Sequence, residues 1–452
     1  MKKHLGRAMP LLLAALLIFS WMAAAEDRPE AEEMTGVEEL EEQLIFELGG
    51  EVVVSGDAFQ GGELEADVSG ITLSPPVEDE ELELEDLEFS YQWLRGDNPI
   101  GGATSSTYSP VEADVGEVIR VRVSAQQRNV FGSVTSEPTG AVVDEDGVLP
   151  VEAGPLEVNR SGAYRLPEGY SGTITIANEA ESVKIIGASP GSEHEETNIV
   201  VAAGRTGPLE LTIEDLYLIA PGGSPGIDFG DDPDYDYDQW PNVKASPGDA
   251  AITHTLYLSG SNSVTGAAEQ AGVRIGDGLE LVIDKAGGLN DEQAELSAQS
   301  ARRAPAIGGG MIISTGAVTI NGGTITATGR EDVTGDLSLG MSPGIGSLYG
   351  AITINGGVVT STGGGMSSGI GVNFDFTQAE HLFPEGAQFP ESIELLPGSN
   401  ITINGGKVTA EGGEGMFPGL GSFILIDDIY TGCTVTINGG DVTATGGSMW
   451  ES

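Results

Sequence analysis

The chain has 452 residues, with 70 Asp and Glu against 19 Lys and Arg, a formal net charge of −51 and a single cysteine. That acidity argues against generic nucleic-acid binding, because phosphate backbones need clustered Lys and Arg, and a lone Cys433 excludes an intramolecular disulfide. The length is ample for two or more domains held by ordinary core burial.

The N-terminus reads as an export signal. Lys2, Lys3 and Arg7 precede an apolar run from Leu11 to Phe19, and Ala23-Ala24-Ala25 stands before an abruptly acidic stretch. The run is shorter than the roughly 20 residues of a spanning helix, so the pattern predicts a signal peptide over 1–25, cleaved after Ala25. The expectation is a secreted or cell-surface protein, not an integral membrane protein. Residues 26–43 are dominated by Glu and read as an acidic stalk or short helix.

Over 44–144 short alternating strands are separated by Gly, Pro, Asn and Asp turns, the pattern of a β-sandwich. The clearest strands are Glu51 to Ser55, Glu63 to Val68, Phe89 to Arg95 and Val118 to Ala125. Tyr91 and Trp93 share one face, which makes Trp93 the expected centre of the core, with sugar stacking as the alternative. Tyr91-Gln92-Trp93, the run Ile100 to Tyr108, Ala113 to Gly116 and Ile119-Arg120-Val121 resemble the disulfide-free Ig-like repeats of bacterial cell-surface proteins. That resemblance implies a spacer or adhesion module. The acidic insertion Glu78 to Glu88 departs from it, and 145–155 reads as a linker.

From 156 to 452 glycine becomes dense and a repeat emerges. Val318-Thr319-Ile320-Asn321-Gly322-Gly323 recurs at Ile352 to Gly357, Ile401 to Gly406 and Val435 to Gly440, each followed by a second short β run. A second signature alternates with it at Ala306-Ile307-Gly308, Gly344-Ile345-Gly346, Gly369-Ile370-Gly371 and Gly419-Leu420-Gly421. Asn-Gly between apolar residues also suits a row of hairpins. A third apolar element at a fixed place, with only the connecting segment changing length, favours a solenoid. In such a coil Val318 and Ile320 point inward and Thr319 outward. Asn321, Asn355, Asn404 and Asn438 then form a structural ladder at a turn, followed by Gly residues that tolerate positive φ.

Degenerate coils are expected upstream at Thr173 to Ala177, Val183 to Ile186, Asn198 to Val201, Leu209 to Ile213, Leu256 to Ser259 and Leu279 to Ile283. The chain stops at Ser452 just after a repeat with no evident cap, so the reading expects an incomplete C-terminus. The two signatures resemble the right-handed β-helix domains of bacterial surface proteins described as carbohydrate-binding, which share the shape of pectate lyases. The resemblance implies polysaccharide binding or adhesion. The expected fold class is therefore all-β, an N-terminal Ig-like β-sandwich followed by a right-handed parallel β-helix with insertions near 229–247 and 373–399.

Catalytic machinery is not recognisable. The lyases use an acidic calcium cluster with an Arg base and the hydrolases use paired carboxylates, and neither arrangement stands in the regular coils. His194, His254 and His381 lack a nucleophile motif or metal-ligand spacing and read as surface or loop residues. Cys433, with no basic neighbour, reads as an inert and partly buried thiol.

The most distinctive polar cluster is Asp228, Asp231, Asp232, Asp234, Asp236 and Asp238, with Tyr235, Tyr237 and Trp240 interleaved or following. Crowded carboxylates suit calcium, which takes six to eight oxygen ligands, and the aromatic faces suit sugar rings; a solvated acidic loop is the alternative. Phe374 and Phe376 lie in the second insertion and form the other candidate ligand surface. The resulting expectation is a non-catalytic protein that binds a polysaccharide or cell-surface glycan, with calcium as the possible cofactor. A structural stalk or protein-binding adhesin is the second reading and a noncanonical polysaccharide lyase or hydrolase the third.

Overall fold

The computed structural model describes residues 45–75, 87–127, 129–230, 252–276, 278–300, 304–309, 316–330, 342–347, 350–365, 367–371, 373–375, 400–413, 417–421, 423–426 and 429–447. Residues 1–44, where a signal peptide and an acidic stalk were expected, and most of both insertions lie outside them. Among the described residues there are strands and two short 3-10 turns but no α-helix, and no helix long and apolar enough to cross a membrane.

The N-terminal part is built from three small sheets. Phe46–Gly50 joins Ile71–Ser74 and Val130–Phe131; Phe89–Arg95 and Ile119–Ala125 centre the second; Val53–Gly56, Leu64–Asp67 and Thr107–Tyr108 form the third. Alternation along Ile119, Val121 and Val123 sends all three into the core, as a half-buried strand requires. They surround Trp93, fully buried, whose Nε1–H donates to the Ser105 carbonyl at 2.9 Å while its ring stacks on Tyr108. This is a core tryptophan, with no face left for a sugar.

A buried Asp114 ties the domain's turn to its sheet. It accepts from the Tyr108 hydroxyl at 2.5 Å, from Arg95 Nε at 2.8 Å and from the Val111 amide at 2.8 Å. Burial, reinforced by the Asp114 carboxylate, pushes the Tyr108 hydroxyl up to about 12.

The second core begins where the first ends. Val142 belongs to the first core, while Ala141 and Val143 pack on the second. Asp144 then accepts the Asp146 and Val148 amides on Oδ1, a turn that feeds directly into a strand. The 145–155 stretch, read as a linker, thus contributes Val148–Pro150, the first strand of the longest parallel sheet. Proline is tolerated there because the strand lies at the sheet edge.

From that point the chain winds through three parallel faces. On the first, Gly162–Arg165, Ser182–Ile186, Glu210–Glu214, the first half of Ile252–Thr265, Leu279–Lys285, Ala317–Ile320, Ile352–Ile354, Ile401–Ile403 and Val435–Ile437 stack in register. The second face runs from Glu193–Glu195 through Tyr217–Ile219, the second half of Ile252–Thr265, Ala294–Gln299, Thr324–Thr328, Val358–Thr362 and Lys407–Glu411 to Asp441–Thr445. The third runs from Leu156–Val158 through Gly172–Ile176, Thr197–Val201, Ile227–Asp228, Val273–Arg274 and Ile307–Gly308 to Ile345–Gly346, then continues through bridges at Ile370 and Leu420.

Register places like residues above one another. Leu256, Ile283, Ile320, Ile354, Ile403 and Ile437 form one inward column of the first face, and all but Ile437 are fully buried. Small residues form one column of the second face, Ala298, Ala327, Ser361, Ala410 and Ala444, beside an aliphatic one, Leu296, Ile325, Val359 and Val408. Burial of such columns, at roughly 25 cal/mol per Å² of apolar area, is what holds coil to coil.

Candidate functional site

The first candidate is the outer strip of the regular coils, because it is repeated and uncharged. Thr319, Thr353, Thr402 and Thr436 stand in register on the outside of the first face, at the roughly 4.8 Å spacing of neighbouring strands. Two residues further along each coil comes the asparagine. Asn355 Nδ2 donates to Asn321 Oδ1 at 2.9 Å, Asn404 to Asn355 at 2.8 Å and Asn438 to Asn404 at 2.8 Å, so the amides run in one direction along the stack.

The glycines behind them have a steric reason. A Cβ on Gly356, Gly405 or Gly439 would sit 2.6 to 2.7 Å from the carbonyl oxygen of the asparagine in the coil before it. Gly357 and Gly406 adopt φ of about +85°, the left-handed region that favours glycine. The turn is therefore close-packed from coil to coil, which keeps the amides in line and exposed. A primary amide carries two donors and two acceptor lone pairs, and the ladder consumes one of each.

A second hydroxyl column, Ser297, Thr326, Thr360, Thr409 and Thr443, lines the outside of the second face. Charge returns at the upstream border. Glu280 accepts from the Thr319 and Thr253 hydroxyls, and Asp291 joins Lys285 Nζ at 2.9 Å to the Gly323 amide at 2.9 Å. That backbone amide, with Lys285, holds Asp291 below the usual carboxylate range.

The acidic cluster is only partly on view. Asp228 lies on the outside of the third face, opposite Arg274 of the next coil, and its Oδ1 takes Arg274 Nη1 at 2.7 Å as well as the Gly230 amide. Its carboxylate thus has a specific cationic partner. Asp231, Asp232, Asp234, Asp236, Asp238, Tyr235, Tyr237 and Trp240 lie outside the described residues. Among the described residues no group of three His, Cys, Asp or Glu is placed to hold a metal ion.

The other insertion contributes Asn373–Asp375, which pairs with Phe423–Ile426 and, through it, Ile429–Gly432 as a separate small sheet. Phe374 sits opposite Ile424 in that pairing; Phe376 lies outside the described residues. Cys433 is partly buried against the coil core.

Two of the three histidines are a correction, and His381 lies outside the described residues. His194 and His254, read as surface or loop residues, are 0% and 1% exposed. His254 occupies an inward position of the first face, between Leu209 and Leu281, and His194 does so on the second, opposite Leu218. Burial lowers both pKa values, that of His254 to about 4 with the nearby Arg205 adding to the effect. Neither joins an acid or nucleophile in a catalytic arrangement. The buried role of Arg205 was not legible in the sequence: its guanidinium donates to the carbonyls of Ala177, Ala180, Gly207 and Pro208. A lone arginine in a Gly-Pro-rich loop carries no pattern that could have marked it.

A family model described as a β-helix repeat matches residues 318–350, 352–371, 401–421 and 435–448. Those stretches carry the regular coils that repeat the Asn-Gly-Gly turn. The C-terminal domain is a β-helix. No curated protein and no solved structure matches the chain. The β-helix continues upstream of the matched stretches through coils that share its three faces and its register, but not its Asn-Gly-Gly turn.

Proposed function

We propose that the protein is an exported, surface-displayed and non-catalytic carbohydrate-binding protein or adhesin, in which an Ig-like N-terminal domain spaces a β-helix away from the cell. The observation that carries this reading is the outer strip of Thr319, Thr353, Thr402 and Thr436 beside Asn321, Asn355, Asn404 and Asn438. Hydroxyls and primary amides at a fixed spacing are the donors and acceptors that suit sugar hydroxyls. The Asn ladder holds them in place before any ligand arrives, so little ordering entropy opposes binding.

Charge narrows the ligand class. In a chain of −51 this strip is free of charged residues, and a polyanionic glycan would be repelled by the rest of the surface. Neutral polysaccharides fit best. A glycan array probed with and without calcium tests the proposal: enrichment of neutral glycans supports it, and absence of binding under both conditions contradicts it. Binding to protein ligands alone would favour the adhesin reading without sugar.

A further inference from the structure

One inward position of the first face is chemically out of place. Leu209, His254, Leu281, Val318, Ile352, Ile401 and Val435 occupy equivalent places in successive coils. Every other member is aliphatic. Core positions that break a consistent pattern usually carry a function or a strain.

The surroundings of His254 fix its protonation state. Nδ1 accepts the Leu209 amide proton at 3.0 Å, so that nitrogen must be unprotonated. The imidazole lies against Phe229, ring centroids 5.6 Å apart at 25°. Arg205 is the charged group that acts on it, held by the carbonyls of Ala177 and Ala180 from one turn and Gly207 and Pro208 from another. Glu179 and Glu181 act on Arg205 in turn. Leu209, Leu281 and Phe229 present only apolar side chains, while Glu280 is engaged with Thr253 and Thr319 on the outer side of the sheet.

We propose that His254 is an acid-sensitive latch that keeps the coil containing Ile252–Thr265 docked on the coil containing Glu210–Glu214. A proton on Nδ1 would set an N–H against the Leu209 N–H and a second positive charge beside Arg205, at a buried position. The coil junction must then open locally for the ring to reach solvent. Phe229 and Ile252 are both buried in this core, so the same opening exposes apolar side chains along with the ring. The latch works within the fold and does not depend on the ligand proposed above.

The linkage has a definite sign. The folded-state pKa of His254 is depressed from 6.5 to about 4, so the closed junction has its full stability above about pH 6.5 and loses it as pH falls towards 4. Across that window the opening equilibrium rises by about tenfold per pH unit, because one proton is taken up on opening.

Hydrogen exchange on the full chain reads this directly. Protection of the Leu209 amide and of peptides covering Ile252–Thr265 is expected to fall steeply from pH 6.5 to 4 after correction for intrinsic exchange, while peptides covering Val358–Glu411 change little. His254→Asn, a neutral residue of similar polarity, and His254→Leu, which matches the aliphatic column, are expected to abolish the steep dependence. A wild-type opening constant that stays flat across the window, or an unchanged slope in the variants, overturns the proposal. Should a variant fail to fold, NMR titration of the His254 ring in the wild-type chain decides: an ordinary pKa near 6.5 in the folded state overturns the latch, and a depressed one supports it.

Discussion

The two halves of the β-helix share three faces and one register but are specified differently. Coils from Ala317 onward repeat residue types, so aliphatic stacks on aliphatic, threonine on threonine and asparagine on asparagine. Coils from Gly162 to Gln299 are each held by bespoke pairs: Lys184 with Glu214 at 2.8 Å, Asp228 with Arg274 at 2.7 Å, and Asn262 bridging the Leu216 amide to the Ser259 and Glu295 carbonyls. Both buried histidines and the buried Arg205 fall in this half. Repetition gives a long uniform surface, whereas irregularity allows single buried charges and titrating groups that a repeat would multiply.

Three substitutions would break or sharpen this contrast. Truncating the shared feature should cost most: Ile354→Ala, between Ile320 and Ile403 in a fully buried column, is expected to lower unfolding free energy by about 2–5 kcal/mol in a denaturant titration. A cost below 1 kcal/mol would mean that the column is loosely packed. Arg205→Met strips one donor set from four carbonyls and should cost about 2 kcal/mol, with lost exchange protection confined to the irregular half. Loss spread evenly over both halves would mean that the two halves do not differ in this way. Asn355→Ala breaks two solvent-exposed ladder bonds and should cost about 1 kcal/mol. Its effect is expected only in the regular coils, read as faster exchange at the Gly356 and Gly405 turns.

The same contrast explains what could be read from the sequence. The regular coils were legible because Asn-Gly-Gly recurs at separations of 34, 49 and 34 residues, and only a stacked turn makes one residue type useful at such intervals. The strands at Gly172–Ile176, Ser182–Ile186 and Leu279–Lys285 were visible from their β-branched and aliphatic content. Side-chain roles in that half were not. His254 has no repeat to align against, so nothing in its local sequence says that it replaces an aliphatic residue. Asp228 and Arg274 meet across 46 residues, a separation at which the local sequence carries no sign of the pairing. Val148–Pro150 escaped because a proline at its end looks like a breaker until the sheet edge is known.

The central claim is that the uncharged strip on the regular coils is where a neutral glycan binds. Isothermal titration calorimetry of neutral and acidic polysaccharides into the wild-type protein and a Thr353→Glu, Thr402→Glu double variant tests it most directly. The account predicts saturable binding of a neutral polysaccharide to the wild type, loss of at least about tenfold in affinity in the variant, and an unchanged thermal unfolding curve. Equal binding by wild type and variant, or a preference for the acidic polysaccharide, would contradict it.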